Sequence, residues 1–294
     1  MRTFKLLMVL LLLTPLLFAT NSFSQPHTSQ IITSSGLIVT PPISQNLLFQ
    51  TDFSDITLGT DSNGRPNHFV YTDGSAFPFS SHVNYQTSSA RVAIVNDASA
   101  MGGKVLELEV YPGMPTRDRC DVNLWIQDLG ITDEFYVDSR LKLRSDYDLE
   151  PPHDYPTWSP WHEIIDVFSE WKASSYYYYM PLHVGMSGDN FTFALSLRYA
   201  HADLGTLETI WIESKTVQLP RGEFFHLRYY ILRHPTNGAV KVWIDNTLVF
   251  DISGVPTMLN EDFFTTVEKV YGGEVLPEKK IWCDQIRIYD GVPA

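Results

Sequence analysis

Phe224-Phe-His-Leu-Arg-Tyr-Tyr-Ile-Leu-Arg233, then His234-Pro-Thr-Asn-Gly238, then Ala239-Val-Lys-Val-Trp-Ile-Asp-Asn-Thr-Leu-Val-Phe-Asp-Ile252, decide the fold. Two runs rich in Val, Ile, Phe, Tyr and Trp flank a Pro/Asn/Gly turn, which is the signature of a hairpin. After a loop, Lys280–Tyr289 is a third run of the same kind. Strands joined without intervening helices build antiparallel sheets and not βαβ units.

Working outward, the same texture covers the chain from Leu47. Expected strands are Leu47–Phe53, Arg91–Asn96, Gly103–Val110, Arg119–Gln127, Glu134–Leu143, Trp161–Phe168, Tyr176–Met186, Phe191–Tyr199 and Thr209–Leu219. A Gly/Asn/Pro-rich loop follows Phe53, and a loop with four prolines spans Arg144–Pro160. The best helix signal is a short turn near Asn260–Phe264. About a dozen strands predict two stacked sheets, an all-β antiparallel β-sandwich of jelly-roll type.

Alternation assigns faces. In Arg119–Gln127, Arg119, Asp121, Asn123, Trp125 and Gln127 share one side, and Cys120, Val122, Leu124 and Ile126 share the other. Glu134–Arg144 sets Tyr136, Asp138, Arg140, Lys142 and Arg144 against Phe135, Val137, Leu141 and Leu143. Thr192, Ser196 and Arg198 oppose Phe191, Phe193, Leu195 and Leu197, and Tyr176–Tyr179 alternate between the two. Period-two patterns of this quality put one face on a core and the other toward solvent or ligand. The polar face mixes Arg, Asp, Asn and Trp. Sugar polymers call for that mixture: rings stack on aromatic planes and fixed polar groups bind hydroxyls.

The first 24 residues read as a secretion signal. Arg2 and Lys5 precede the apolar run Leu6–Phe18, and Ser22 and Ser24 fit a cleavage before Gln25. Residues 25–46, rich in Ser, Thr, Gln and Pro, read as a flexible lead-in, and 47–294 as one β-sandwich domain. The expected location is therefore secreted, periplasmic or cell-surface. The whole chain carries a net charge of −13, and cleavage leaves 19 basic against 34 acidic residues, or −15. Nucleic acid and anionic membrane surfaces need a basic footprint that this balance does not supply. Export permits a disulfide between Cys120 and Cys283, but parity sets Cys283 opposite Ile286 and Ile288, so two buried thiols are the expected state. The sequence does not fix an oligomeric state.

Several stretches together resemble the concanavalin A-like jelly-roll group, which includes alginate, glucuronan and heparin lyase-like enzymes and some glycoside hydrolases. Arg119-Cys-Asp-Val122 resembles the R-T-E-L strand of alginate lyases. Leu219–Arg228 with Gly238–Asp245 resembles the paired strands of the group, and Asp284–Tyr289 its last strand. Glu268-Lys-Val-Tyr-Gly-Gly273 resembles the K-A-G-x-Y element of those lyases. Their Q-I-H triplet is absent. Trp161-His-Glu-Ile-Ile-Asp-Val-Phe-Ser-Glu170 stands where it might fall and superficially resembles the E-x-D-x-x-E signature of laminarinase-type hydrolases. In a regular strand Glu163 and Asp166 point to opposite faces, whereas Asp166 and Glu170 share one; a bulge would restore the pattern.

The residues and the resemblance together leave three readings. For β-elimination on a uronate polysaccharide, Arg119 with Asn123 would neutralise the carboxylate, His162 or His183 would take the C5 proton, and Tyr271 or Tyr230 would protonate the leaving oxygen or act as combined acid and base. Asp121, Trp125, Arg140, Asp166, Tyr179, Arg198 and Tyr230 are candidate substrate contacts. For hydrolysis, Asp166 with Glu170, or Glu163 with a neighbouring acid, would form the carboxylate pair. A non-catalytic carbohydrate-binding module is the third reading. The resemblance also implies a structural calcium where the first and last strands meet, on Asp284 with Asp52 and the backbone near Gly103. No organic cofactor is expected.

Overall fold

The structure is a computed structural model. It describes residues 46–291, apart from 79, 86–89, 112–117, 132, 148–161, 173–175, 188–189, 202–205, 215–216, 219, 258–262 and 273–278. Residues 1–45 lie outside it, and with them the expected signal and all but the last residue of the expected lead-in, as does most of the proline-rich loop.

The described strands are β1 (Leu47–Thr51), β2 (Ile56–Thr60), β3 (Pro66–Tyr71), β4 (Ser81–Tyr85), β5 (Ala90–Asn96), β6 (Lys104–Val110), β7 (Asp118–Leu124), β8 (Glu134–Leu143) and β9 (His162–Lys172). They continue as β10 (Tyr176–Ser187), β11 (Asn190–His201), β12 (Thr206–Ser214), β13 (Phe225–Leu232), β14 (Gly238–Ile244), β15 (Thr247–Val255), β16 (Phe263–Gly272) and β17 (Lys279–Asp290). One sheet runs β15-β14-β13-β8-β17-β6-β5, with β1 also pairing β17. The other runs β12-β11-β10-β9-β16-β7-β4. Strands β2 and β3 form a small hairpin. The strand pairs are antiparallel throughout, so the expected all-β sandwich is what the chain forms.

One apolar cluster joins the two sheets. The first sheet contributes Leu106, Leu108, Phe135, Val137, Leu141, Leu227, Tyr229, Val240, Ile286 and Ile288 among others. The second contributes Val83, Cys120, Val122, Leu124, Leu182, Phe193, Leu195 and Ile212. Each such aliphatic side chain contributes about 1.5–3 kcal/mol by leaving water.

The outward side of the first sheet is held by charges. Asp138 receives His226 Nδ1 at 2.8 Å, Arg228 Nε at 3.4 Å and an Arg287 guanidinium nitrogen at 3.8 Å. Glu107 and Glu109, both nearly buried, share Arg91 and Lys280. Beside them lies a second apolar cluster of Tyr136, Tyr230 and Trp243.

Several expectations are corrected. The loop after Phe53 contains β2, β3 and β4. The Ala239–Ile252 run is two strands, split at Asp245-Asn246, where Asp245 adopts a positive φ of 52° in the tight turn. Of the turn expected near Asn260–Phe264, Phe263 and Phe264 instead open strand β16, and 260–262 lie outside the described residues. The seventh strand stops at Leu124, and a 3-10 helix covers Ile126–Leu129. Cys283 lies on the core side with Ile286 and Ile288, because the ladder with β8 slips between Cys283 and Gln285 and leaves Asp284 in a bulge. Both cysteines are buried free thiols.

Candidate functional site

The second sheet holds most of the polar residues singled out in the sequence, and its register shows which of them share a side. Leu182, Leu195 and Ile212 stand opposite one another across β10, β11 and β12, and all three are buried in the core. Positions one step away therefore lie on the outward face. Along β10 these are Tyr177, Tyr179, Pro181 and His183. Their partners on β11 include Arg198, opposite Tyr179, and Ala194, opposite His183. Beyond them on β12 stand Thr209, Trp211 and Glu213.

Strand β9 departs from regular alternation. Tyr179 stands opposite Ser169, Pro181 opposite Asp166 and His183 opposite Glu163, with register shifts after Met180 and after Leu182. Two single-residue bulges, at Val167 and Ile164, account for these shifts. They bring Glu163, Asp166 and Ser169 onto the outward register at three-residue spacing. The expectation of opposite faces for Glu163 and Asp166 is thus overturned. So is the shared face of Asp166 and Glu170, since Glu170 stands opposite Tyr178 on the other register. His162 stands opposite Val184, which pairs with buried Phe193, so its register is core-facing.

The other half of this face is built on β7. Cys120, Val122 and Leu124 are fully buried, which leaves Arg119, Asp121 and Asn123 on the outward register. Arg119 stands directly opposite Tyr271 of β16, and Asp121 stands between Asn84 of β4 and Lys269 of β16. Asn123 stands between His82 and Thr266. The Asn123 amide donates to Asp121 Oδ1 at 3.1 Å. Asp121 is only 4% exposed, so it anchors this row more than it presents a ligand surface. Trp125 lies past the strand end, where its N–H donates to the Ser80 carbonyl at 2.9 Å. Strand β16 unites the halves, since Phe264 pairs with Ser169 of β9 while Thr265–Gly272 pairs with β7.

The structure thus brings Arg119, Asp121, Asn123 and Tyr271 together, and His183, Asp166, Tyr179 and Arg198 together, on one face of one sheet. It does not bring Arg140 and Tyr230 there, because β8 and β13 belong to the other sheet. Tyr230 donates to Glu134 Oε2 at 2.5 Å, and burial followed by that hydrogen bond pushes its hydroxyl pKa upward. Arg140 holds Asp284. His82, Asn84, Trp171, Trp211 and Glu213 share the outward register and were missed. Ser81-His-Val-Asn-Tyr85 does alternate, but it sits inside a stretch dominated by turn residues.

Asp284 and Asp52, the residues named for calcium, both pack against the β5–β6 connection, at Met101 and Gly102. Asp284 Oδ2 accepts the Met101 N–H at 3.3 Å and contacts the Arg140 guanidinium, while Oδ1 is buried with no hydrogen-bond partner. Gly102 packs against Asp52 so closely that a Cβ there would meet Asp52 Cγ at 2.5 Å. Asp52 Oδ1 is already taken by the Ser54 hydroxyl and N–H, which hold its pKa low. Among the described residues no group of three or more His, Cys, Asp or Glu is gathered as for a metal.

No protein-family model matches the chain, and no curated protein matches it. Solved structures similar to it include alginate lyase Aly36B in complex with an alginate trisaccharide, at 13% identity and a TM-score of 0.45, covering 71% of this chain and 88% of that one. Domain 4 of AbnA, an extracellular arabinanase of Geobacillus stearothermophilus in complex with arabinotriose, has 14% identity and a TM-score of 0.39, covering 85% and 94%. A Shewanella oneidensis protein of unknown function has 13% identity and a TM-score of 0.42, covering 87% and 92%.

Proposed function

We propose that the protein is exported, binds an extracellular polysaccharide on the outward face of the second sheet, and cleaves it at a uronate by β-elimination. The observation that carries this reading is the ladder position of Arg119 directly opposite Tyr271, with Asn123 on the same strand face. Antiparallel partners have Cβ atoms about 4.5–5.5 Å apart, so one sugar ring can meet both residues. The Arg119 guanidinium pairs with the uronate carboxylate and lowers the energy of the carbanion that forms at C5. His183 lies three strands from Arg119, so Tyr271 as its phenolate takes the C5 proton and serves as base as well as acid. The electron pair of the C5–H bond becomes the C4–C5 double bond, the C4–O bond breaks, and the leaving oxygen takes a proton from Tyr271.

A specific observation favours hydrolysis as the second reading. The two β9 bulges set Glu163 and Asp166 on one face, as a carboxylate pair requires. Incubating the protein with uronate polysaccharides separates these outcomes. An ultraviolet-absorbing unsaturated product supports elimination. New reducing ends without that absorbance support hydrolysis, and binding without either supports a carbohydrate-binding module.

The calcium we infer for the Asp284 corner would be structural, remote from this chemistry. The orphaned Asp284 Oδ1 is a donor fit for a hard cation, and Asp52 with the backbone beside Gly102 would complete the site.

A further inference from the structure

We infer that the glycan taken by this face carries its uronate among neutral sugars, and not in an unbroken uronate run. The inference rests on the glycan-binding face proposed above and goes on to name its substrate class. The outward register divides into two halves of opposite character. On β4, β7 and β16 the ionisable outward positions are Arg119 and Lys269 against Asp121, with His82 and Tyr271. On β9–β12 they are Glu163, Asp166 and Glu213 against Arg198, with His183 and the tyrosines.

Neighbouring strands are about 4.8 Å apart, so the step from β7 to β10 is roughly 15 Å, wider than one monosaccharide. A chain lying across the sheet meets a basic half and then an acidic half with different sugar units. The basic half suits a carboxylate. The acidic half repels a second or third one, because like charges in a partly desolvated face interact strongly. Aromatic positions are also concentrated there. Trp171 stands opposite Tyr177, Tyr179 lies one outward step along, and Trp211 stands on β12. Indole and phenol planes favour the C–H faces of uncharged rings, with carboxylates left to accept hydrogen bonds from hydroxyls.

Calorimetric titration of the full chain carrying Tyr271→Phe tests this. The probes are all-uronate tetrasaccharides and tetrasaccharides with one uronate flanked by neutral hexoses or pentoses. At least one mixed probe should bind tenfold or more tightly than every all-uronate probe. Combining Glu163→Gln, Asp166→Asn and Glu213→Gln should shrink that gap below threefold, by strengthening all-uronate binding. Equal or tighter binding of an all-uronate probe, an unchanged gap in the triple variant, or no binding of either set would overturn the inference. Product analysis with the unsubstituted protein is a separate reading: saturated products alongside the mixed-probe preference would sink elimination and leave the substrate class standing.

Discussion

Asp284 shows how one residue can govern a corner of the molecule. It is fully buried in a bulge, it contacts Arg140, and it anchors the Met101 N–H of the β5–β6 connection. Burial raises its pKa, and the arginine and that N–H pull it back. Removing one member of a buried pair leaves the other charge uncompensated, so Asp284→Ala should cost about 3 kcal/mol in denaturant unfolding. A loss under 1 kcal/mol would show that the pair is solvated. The tyrosines separate by the same reasoning. Tyr271→Phe should lower kcat by about 100-fold or more, the usual worth of a positioned proton donor. Tyr230→Phe, on the other sheet and bonded to Glu134, should stay within twofold. Equal losses in steady-state kinetics would contradict the assignment.

At the level of elements, the bulges of β9 matter most. Each inserted residue moves every position beyond it to the other face. Deleting Val167 should restore alternation between Asp166 and Phe168 and leave Asp166 opposite Pro181 and Glu163 opposite His183, on the outward register. Glycan affinity should then stay within threefold, read by affinity electrophoresis, and a tenfold loss would show that the bulge itself shapes the face.

This is also where sequence and structure part. Alternation in β7, β8 and β11 was legible, because each polar-apolar step there is intact. The clustering of Arg119, Asp121 and Asn123 followed from it. The faces of Glu163, Asp166 and Cys283 were misread, because parity assumes that no residue is inserted. The apolar doublets Ile164-Ile165 and Val167-Phe168 carry the signal, since an outward polar residue at every third position requires one member of each doublet to be extra. The assignment of Arg140 and Tyr230 to the site failed for another reason. Alternation tells which side of its own sheet a residue occupies, not which sheet the strand joins. That is set by long-range pairings such as β8 with β17.

At the level of the whole molecule, the acidic chain depends on paired carboxylates. Burial works to raise the Asp97 pKa, but the Lys142 ammonium at 2.7 Å and the Ser99 hydroxyl and N–H outweigh it and hold it at about 2. A folded-state pKa below the unfolded value of about 3.9 gives stability that is present above pH ~4 and lost as pH falls through ~2. The melting temperature of the unsubstituted protein should therefore fall more steeply between pH 4 and 2 than that of Lys142→Met. Parallel curves would remove Asp97 from the acid response. If calcium occupies the Asp284 corner, a strong chelator should lower the melting temperature by several degrees, as expected when a ligand of the folded state is withdrawn. An unchanged value would count against the ion.

The proposed elimination depends on one face joining Arg119 to Tyr271. Ultraviolet absorbance of reaction products, followed over a panel of uronate polysaccharides with the unsubstituted protein and with Arg119→Ala, tests it most directly. Unsaturated-uronate absorbance is expected from at least one polymer, with a loss of 100-fold or more in rate for Arg119→Ala. Cleavage that proceeds equally well without Arg119, or no unsaturated product from any polymer, would contradict it.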